Sequence, residues 1–432
     1  MKFNIYTLGC KVNTYESNVM RDQLKNNGYI EVSTDELADI SIINTCTVTN
    51  TADHKSMKTI KHAIHKNPDA LIVVCGCFAQ NAKNIEIDGV DIVIGNQGKS
   101  KIVGYIESFL EHKNKIEDVL EMKDLKFESM ILNNFNKTRA FVKIQDGCDN
   151  FCTYCIIPYT RGNVRSKKPK TVIQEVKELV QNGHREIVLT GIHTGNYGAE
   201  LENYDFADLL NDLIQIEGLE RVRISSIEAT ELNERVLEVF AKSHVLVDHL
   251  HIPLQSGSNT VLKRMNRKYD KEYFIQKINQ IRKIRPNISI TTDVITGFPG
   301  ETEEEFKETI ETIQTIKFAK LHVFPFSKRD RTAACKLPNH LDNATKKERA
   351  RILISLSKQL EVEYMKQFIG KEVEVLPETI SEDGIIGHTG NYLLVKVKTN
   401  DKNLQKKRIL KLEQIEYPYC YGVENVDYFI KL

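Results

Sequence analysis

The strongest constraint on this chain is a group of three cysteines within eight residues, Cys148, Cys152 and Cys155, in a CxxxCxxC spacing that follows an apolar run at 140–144. Thiolate sulfur is the ligand that iron–sulfur clusters select, and three ligands for four irons leave one iron open to a small chelating molecule. A structural zinc site is the alternative. Zinc sites usually have four ligands in two pairs, and no second CxxC or HxxxH follows this group. The spacing therefore favours a [4Fe–4S] cluster with one open iron.

The same loop resembles the signature of the radical S-adenosylmethionine (SAM) superfamily, CxxxCx-aromatic-C. Tyr154 stands at the aromatic position, where that family packs a ring beside the SAM adenine. A core aromatic is the alternative for this tyrosine. The resemblance implies that SAM binds the open iron through its amino and carboxylate groups and is cleaved reductively to a carbon radical.

Composition sets broad limits on the class of protein. A chain of 432 residues that is 41% apolar can bury about three separate cores. Sixty basic residues balance fifty-nine acidic ones, so contact with nucleic acid must come from local patches. Nine cysteines without a secretory signal favour metal ligation in a reducing compartment. We therefore expect a cytoplasmic protein with no membrane segment.

Short apolar runs alternate with helix-like segments over residues 1–110, the pattern of a parallel, Rossmann-like α/β domain. The runs are 3–8, 40–43, 71–74 and 92–94. Cys10, Cys46 and Cys77 stand at or just past the ends of the first three. The carboxyl ends of parallel strands share one edge, so we expect these thiols to converge and hold a second cluster with an open iron. Buried free thiols are the alternative, and Cys75, nearer the strand interior, is expected to be structural.

The surroundings of these cysteines resemble the N-terminal domain of the methylthiotransferases, radical SAM enzymes with two clusters. The matching stretches are Thr7-Leu8-Gly9-Cys10-Lys11-Val12-Asn13, Asn44-Thr45-Cys46-Thr47-Val48 and Gly76-Cys77-Phe78-Ala79-Gln80. A charged segment at 111–137 follows. We expect it to be a linker or a peripheral hairpin without chemistry.

Residues 138–335 show six strand-like runs separated by helical segments, the pattern of a partial (β/α)6 TIM-type barrel with its reactive groups at the strands' carboxyl ends. The cysteine loop follows the first of these strands. At later strand ends stand residues suited to a nucleoside and an amino acid, each with a turn or cap role as its alternative. Together with Tyr154, the candidate SAM contacts are Thr190, Gly191, Ser225, Glu228, Gln255, Ser256, Ile295 and Gly297.

Three other residues of this domain carry weaker signals. We expect His251 to be a half-buried, hydrogen-bonded histidine rather than a ligand. Arg161 is expected either to pair with a carboxylate of SAM or substrate, or to lie on the surface. Cys335, without a cysteine partner nearby, is expected to be a free thiol.

Residues 336–368 read as an amphipathic helical tether, and residues 369–432 as a small β-barrel. The expected strands of the barrel are 373–376, 393–397, 409–412 and 428–430. Asp383-Gly384 and the stretch Gly387 to Tyr392 resemble the TRAM domain, an OB-like RNA-binding barrel. Seven basic residues at 396–411 with one acid, Asp401, predict a phosphate-binding cluster, with a solvated loop as the alternative. Cys420 is expected to be structural.

One motif narrows the family. Gly9-Cys10-Lys11-Val12-Asn13 resembles the branch acting on N6-threonylcarbamoyladenosine (t6A) at position 37 of tRNA. The isopentenyladenosine branch usually carries Gln-Met-Asn after this cysteine, and the ribosomal-protein branch Pro-Lys-Asn. The resemblance implies insertion of a methylthio group at C2 of t6A37 by an enzyme with two [4Fe–4S] clusters. It assigns no catalytic side chain.

The resemblance also implies that SAM is used twice. One molecule methylates sulfur held at the Cys10, Cys46 and Cys77 cluster. The other, at the Cys148, Cys152 and Cys155 cluster, gives a 5′-deoxyadenosyl radical that takes hydrogen from C2. The expected partners are tRNA, a low-potential electron donor of flavodoxin or ferredoxin type, and a sulfur donor. The alternatives are an enzyme for isopentenyladenosine tRNA or a ribosomal protein, and a zinc-stabilised RNA-binding protein.

Overall fold

The computed structural model describes residues 1–81, 87–123, 125–132, 135 and 137–424. Its first unit is a parallel sheet flanked by helices. The strands are β1 (Lys2–Thr7), β2 (Ile30–Glu31), β3 (Ile40–Thr45), β4 (Leu71–Gly76), β5 (Ile92–Ile94) and β6 (Ile116–Asp118), in the order β2-β1-β3-β4-β5-β6. The helices are α1 (Lys11–Asn26), α2 (Asn50–Lys66), α3 (Cys77–Asn81) and α4 (Ile102–His112). Every residue of β3 and β4 is buried, as expected for central strands covered on both faces.

The four predicted strands of this unit are confirmed, while the short strands β2 and β6 were not predicted. Strand β6 lies in the segment expected to be a linker, and it pairs in parallel with β5. Farther along, the carboxylate of Glu128 accepts the backbone N–H groups of Gly98 at 3.1 Å and Ser100 at 2.7 Å. Described parts of the segment 111–137 thus extend the sheet and bind its edge.

The second unit is an open barrel of six parallel strands, with a short antiparallel pair of strands beside it. Its strands are β7 (Arg139–Lys143), β8 (Gln145–Asp146), β9 (Arg165–Ser166), β10 (Glu186–Thr190), β11 (Arg221–Ile224), β12 (His249–His251), β13 (Ser289–Thr296) and β14 (Lys320–Pro325). Its helices are α5 (Ile157–Arg161), α6 (Pro169–Gln181), α7 (Phe206–Leu213), α8 (Glu234–Lys242), α9 (Asn259–Arg264), α10 (Lys271–Ile284) and α11 (Glu303–Ile316). Strands β8 and β9 form a separate antiparallel pair.

The six barrel strands follow the order β7-β10-β11-β12-β13-β14, with a parallel bridge from Val222 to Leu246 joining the two three-stranded halves. Alternate side chains face opposite sides of the sheet. In β10, Ile187 and Leu189 fill the core beneath the helices. Glu186, Val188 and Thr190 therefore face the lumen. The predicted partial (β/α)6 barrel is confirmed.

The third unit is a long helix followed by a closed β-barrel. It comprises α12 (Asn343–Lys366), β15 (Glu372–Ser381), β16 (Gly384–Thr389), β17 (Leu394–Lys398), β18 (Arg408–Glu416) and β19 (Tyr419–Glu424), and the barrel order is β15-β16-β17-β19-β18. The small barrel is confirmed. The strand predicted at 428–430 lies outside the described residues. Helix α12 does more than tether, because it packs along β14, where the Ser357 hydroxyl accepts the Leu321 N–H at 2.9 Å.

The outer units close opposite ends of the open barrel. Glu16 in α1 pairs at 2.7 Å with Lys143, the last residue of β7, so the N-terminal unit covers the carboxyl ends of the strands. Glu378 in β15 pairs at 2.8 Å with Arg139, the first residue of β7, so the C-terminal barrel lies at the amino ends. Among the described helices, none combines the length and apolar character needed to cross a bilayer.

Candidate active site

One edge of the N-terminal sheet brings three thiols near one another, those of Cys10, Cys46 and Cys77. Their binding of a cluster stays a prediction. Cys10 caps α1, Cys46 follows β3 and Cys77 begins α3, and β3 pairs in register with both neighbouring strands. Burial, together with the negative charges of Cys77 and Cys10, raises the pKa of the Cys46 thiol to about 11. The free Cys46 thiol is therefore protonated at neutral pH, and metal binding there must release that proton.

Gly9 leaves the space that this group of thiols needs. Its backbone lies in the left-handed region, at φ +97°, and a Cβ atom there would lie 2.8 Å from Cβ of Cys46 and 3.0 Å from its sulfur. Soft thiolate donors around a side-chain-free cradle fit an iron–sulfur cluster. No three His, Cys, Asp or Glu side chains among the described residues converge on a single metal ion. A four-iron cluster does not require that, since each thiolate binds a different iron.

The second triad lies on the loop after β8. The N–H of Cys148 donates to Gly162 O at 2.9 Å, and the N–H of Cys155 donates to Cys152 O at 2.9 Å, which folds the loop back on itself. Burial, reinforced by the charge of Cys152, raises the pKa of Cys155 to about 12. This loop stands at the carboxyl end of the barrel, where the N-terminal unit covers the lumen.

Arg161 lies between the N-terminal unit and the central barrel, so the expectation of a surface position was wrong. Its pairing with a carboxylate of SAM or substrate stays a prediction. The side chain is fully buried. Its Nε donates to Cys77 Sγ at 3.3 Å, and its Nη1 donates at 3.1 Å to both Glu16 Oε1 and Asp146 Oδ1. Burial alone would raise the pKa of Glu16, but Arg161, Lys143 and Lys99 hold it well below its usual range.

Two further residues near the second triad were not predicted from the sequence. Arg267, in the loop after α9, donates from Nη1 to Cys152 Sγ at 3.3 Å and pairs with Glu228. His193, just beyond β10, lies with Nδ1 3.7 Å from Cys148 Sγ and contacts Glu231. Neither residue belongs to a recognisable motif. Their positions depend on how loops from distant strands meet.

Most predicted SAM contacts lie together around the carboxyl ends of the strands. Thr190 Oγ1 is buried with no hydrogen-bond partner among the described residues, and it stands directly before Gly191. Ser225 Oγ lies 3.4 Å from Thr194 Oγ1. An unpartnered hydroxyl at the mouth of the lumen fits a bound polar ligand.

The remaining candidates form the other wall of the mouth or serve the fold. Tyr154 and Ile295 pack against one apolar cluster. The backbone of Gln255, at φ +67°, bridges β13 by accepting from the Ile295 N–H at 2.9 Å. In contrast, Ser256 is buried with its hydroxyl 3.2 Å from Thr309 Oγ1, and Gly297 makes room for Lys346 of α12. For Ser256 and Gly297, these contacts fit the alternative of a structural role in a turn or cap.

The other single-residue expectations are confirmed. His251 is half-buried, with Nδ1 2.9 Å from Thr291 Oγ1 and Nε2 3.3 Å from Asp293 Oδ1. All nine cysteines are free, and Cys75 and Cys420 are fully buried in the cores of their units.

The basic cluster at 396–411 is largely used within the protein. Lys407 pairs with Glu220 at 3.1 Å and Glu374 at 2.8 Å, which ties the C-terminal barrel to the central one. Arg408 is buried and pairs with Asp401 and Glu424. Lys398 and Lys411 are exposed and have no side-chain partner among the described residues. Only part of this cluster is available to phosphates.

Known proteins resemble the chain in both sequence and fold. The model of the "Radical SAM superfamily" matches residues 142–313, and that of "Uncharacterized protein family UPF0004" matches residues 2–95. A solved structure of the radical S-adenosylmethionine methyltransferase TsrM from Kitasatospora setae has a TM-score of 0.58 at 12% identity. The match covers 77% of this chain and 76% of the TsrM chain. At this low identity it shows that the two proteins share a fold.

Two curated relatives span nearly the whole chain. The threonylcarbamoyladenosine tRNA methylthiotransferase MtaB of Bacillus subtilis (strain 168) is 47% identical, over 96% of this chain and 95% of its own. The tRNA-2-methylthio-N(6)-dimethylallyladenosine synthase of Thermoanaerobacter sp. (strain X514) is 37% identical, over 92% of this chain and 85% of its own. With these two cysteine triads on this fold, the chain belongs to the methylthiotransferase family of radical SAM enzymes.

Proposed function

We propose that this protein inserts a methylthio group at C2 of N6-threonylcarbamoyladenosine at position 37 of tRNA. The observation that carries the proposal is the pair of cysteine triads at one barrel mouth, in a chain 47% identical over nearly its full length to a threonylcarbamoyladenosine tRNA methylthiotransferase. The identity to the dimethylallyladenosine synthase is lower, at 37%. That difference favours t6A over the isopentenyl substrate.

The two triads would hold different clusters. Cys148, Cys152 and Cys155 would ligate the [4Fe–4S] cluster that binds SAM, and Cys10, Cys46 and Cys77 would ligate the auxiliary one. When bound, these groups supply a reductively generated adenosyl radical and a methylated sulfur for transfer. An unactivated aromatic C–H bond needs chemistry of that kind.

The chain's own residues prepare the mouth for this reaction. Arg267 places a buried positive charge at Cys152 and pairs with Glu228, which orients the cysteine loop. Arg161 fixes Cys77 against the helix that follows the same loop. The N-terminal unit covers the strand ends and encloses the mouth of the barrel, where a radical would be kept away from side reactions.

The partners follow from the same chemistry. The reaction needs tRNA as substrate, an electron donor of low potential such as a flavodoxin- or ferredoxin-like protein, and a donor that replaces the sulfur consumed. We include all three in the proposal.

The test is a nucleoside profile by mass spectrometry of tRNA from a strain that lacks the gene. We expect 2-methylthio-t6A to disappear while 2-methylthio-isopentenyladenosine stays at its wild-type level. A plasmid copy should restore the nucleoside, and a copy carrying Cys152→Ala should not. Loss of the isopentenyl derivative with 2-methylthio-t6A intact would refute the t6A assignment.

A further inference from the structure

The lumen of the open barrel ends in a floor supplied by the C-terminal barrel. Tyr392, in the turn between β16 and β17, reaches the amino ends of the central strands. Its ring stacks on His249 of β12 with 4.7 Å between centroids, and on His388 of β16 with 4.6 Å. The guanidinium carbons of Arg223 and Arg139 lie 4.7 Å and 5.3 Å from the ring centre. The phenol therefore sits among lumen-facing cations.

The backbone of Tyr392 is held in an unusual conformation to place this ring. Its φ is +69°, in the left-handed region that side chains other than glycine rarely adopt. Such a conformation persists only where the surrounding contacts impose it, and it is common at ligand sites. The backbone just before Tyr392 is also held in place, because Arg223 Nη1 donates a hydrogen bond to Gly390 O at 3.1 Å.

Within the part of the chain that the structure describes, the positive charges around the phenol are paired, except for that of Lys11. Arg139 pairs with Glu378 at 2.8 Å, and Arg223 pairs with Glu186 at 2.6 Å. Lys11, the first residue of α1, has no hydrogen bond or ion pair with any described residue, although α1 covers the mouth of the same lumen. Lys11 is exposed, so its ammonium is open to an incoming anion, which would form a charge-assisted hydrogen bond with it.

The pKa shifts of Tyr392 and His249 also indicate a positive potential in this part of the lumen. Burial would raise the pKa of Tyr392, but the positive charges of Arg139, Lys11 and Arg223 hold it below its usual value. Burial and the charges of Arg223, His251 and Lys11 lower the pKa of His249 well below its usual range, so its ring stays neutral. Asp293, the carboxylate facing this part of the lumen from β13, is 3.3 Å from His251. A region between Lys11 and Tyr392 therefore favours negative charge.

We propose that Lys11 and the hydroxyl of Tyr392 bind the carboxylate of the threonylcarbamoyl group and make Lys11 a specificity-determining residue. The inference rests on the proposed function, because of the two tRNA substrates considered only the threonylcarbamoyl substituent ends in a carboxylate. The nucleobase occupies the mouth, where the cysteine triads lie, and its N6 substituent extends down the lumen. A dimethylallyl group offers the ammonium no counterion and leaves it unpaired.

The test compares two RNAs that differ only in this charge. One is an anticodon stem-loop with t6A, and the other is the same stem-loop with the threonyl carboxyl converted to its methyl ester. Binding to the anaerobically reconstituted enzyme is measured by fluorescence anisotropy. We expect the wild type to prefer the acid by about tenfold to a hundredfold, as a charge-assisted contact provides. Lys11→Met should bring the ratio near unity without changing affinity for the ester, and Lys11→Arg should retain part of the preference.

Two further variants keep the result interpretable. Lys170→Met, an exposed lysine in the first turn of α6 on the outside of the barrel, should keep the wild-type preference. Tyr392→Phe, remote from the cysteines, should keep the iron content and lower the preference severalfold. If Lys11→Met with full iron content, or Tyr392→Phe, prefers the acid as strongly as the wild type does, the carboxylate site is refuted. If the wild type binds the t6A stem-loop no better than an unmodified one, the proposed function fails as well.

Discussion

The guanidinium of Arg161 donates to the sulfur of Cys77 across the boundary between two units, over 3.3 Å. Arg161 ends the short helix that follows the CxxxCxxC loop, so one side chain connects the element after one triad to a member of the other. Four more charged groups, Glu16, Lys99, Lys143 and Asp146, complete the buried network.

Removing Arg161 should destabilise the protein strongly. Arg161→Leu removes the buried hydrogen bonds that Cys77, Glu16 and Asp146 accept from this guanidinium, and removing one partner of a buried ion pair costs about 3–5 kcal/mol. Urea unfolding of the anaerobic protein should show this loss. Arg351→Leu, which removes an exposed i,i+3 pair with Glu348, should leave the stability nearly unchanged. Equal effects of the two variants would contradict the network's role.

The two triads should be separable by iron analysis. We expect Cys152→Ala and Cys46→Ala each to lower iron from about eight to about four per chain, because each removes one four-iron cluster. Only Cys152→Ala should abolish reductive SAM cleavage, and Cys46→Ala should block methylthiolation alone. Cys335→Ser is the matched control and should retain full iron. A wild type with only about four irons would rule out the second cluster.

Gly9 should be intolerant of any side chain. Gly9→Ala places a methyl group 2.8 Å from Cβ of Cys46 on a backbone at φ +97°, so the auxiliary triad should lose its iron while SAM cleavage remains. Gly104→Ala, in the first turn of α4 with open space around it, is the control. It should raise stability by about 0.5–1 kcal/mol. Iron content and urea midpoints report both outcomes.

Stability should depend on pH through Glu305 at the start of α11. Hydrogen bonds from Arg264 lower the pKa of this carboxyl from 4.5 to about 2. Because the folded pKa lies below the unfolded one, the stabilisation is complete above about pH 4.5 and declines as the pH falls towards 2. We expect the advantage of the wild type over Glu305→Gln to shrink by about 1 kcal/mol between pH 6 and 3.5, since the pair is partly exposed. Glu311→Gln, an exposed change in the same helix, should show no comparable trend.

The exposed lysines of the C-terminal barrel should contact tRNA phosphates, and the paired ones should not. Lys398→Ala should weaken tRNA binding and reduce the slope of log affinity against log salt by about 1. Lys407→Ala should leave that slope unchanged, because its ammonium is already bound by Glu220 and Glu374. If instead Lys407→Ala reduced the slope and Lys398→Ala did not, tRNA would have to displace the ion pairs of Lys407 with Glu220 and Glu374.

The sequence was sufficient to predict where the candidate cysteine ligands lie, for a physical reason. Cys10, Cys46 and Cys77 stand at strand ends, and the carboxyl ends of parallel strands share one edge. The short strands β2 and β6, of two and three residues, carry too few alternating side chains to be recognised. The three main folding patterns, however, were long enough to be identified from periodicity.

The ion pairs around the site could not be predicted in the same way. Arg161 and Glu16 are 145 residues apart, and neither lies in a pattern that names its partner. An arginine in a short loop looks exposed until the docking of two units buries it. Likewise, the place of Tyr392 depends on how the third unit meets the second, which no local pattern encodes.

The floor formed by Tyr392 also constrains how such enzymes can be recombined. An RNA-reading module joined only by a linker could be exchanged freely between relatives. Here, grafting a foreign C-terminal barrel would remove the phenol from beneath the catalytic chamber and leave Arg139 and Arg223 without their aromatic neighbour. Exchange of the C-terminal barrel would therefore also change the lining of the central barrel.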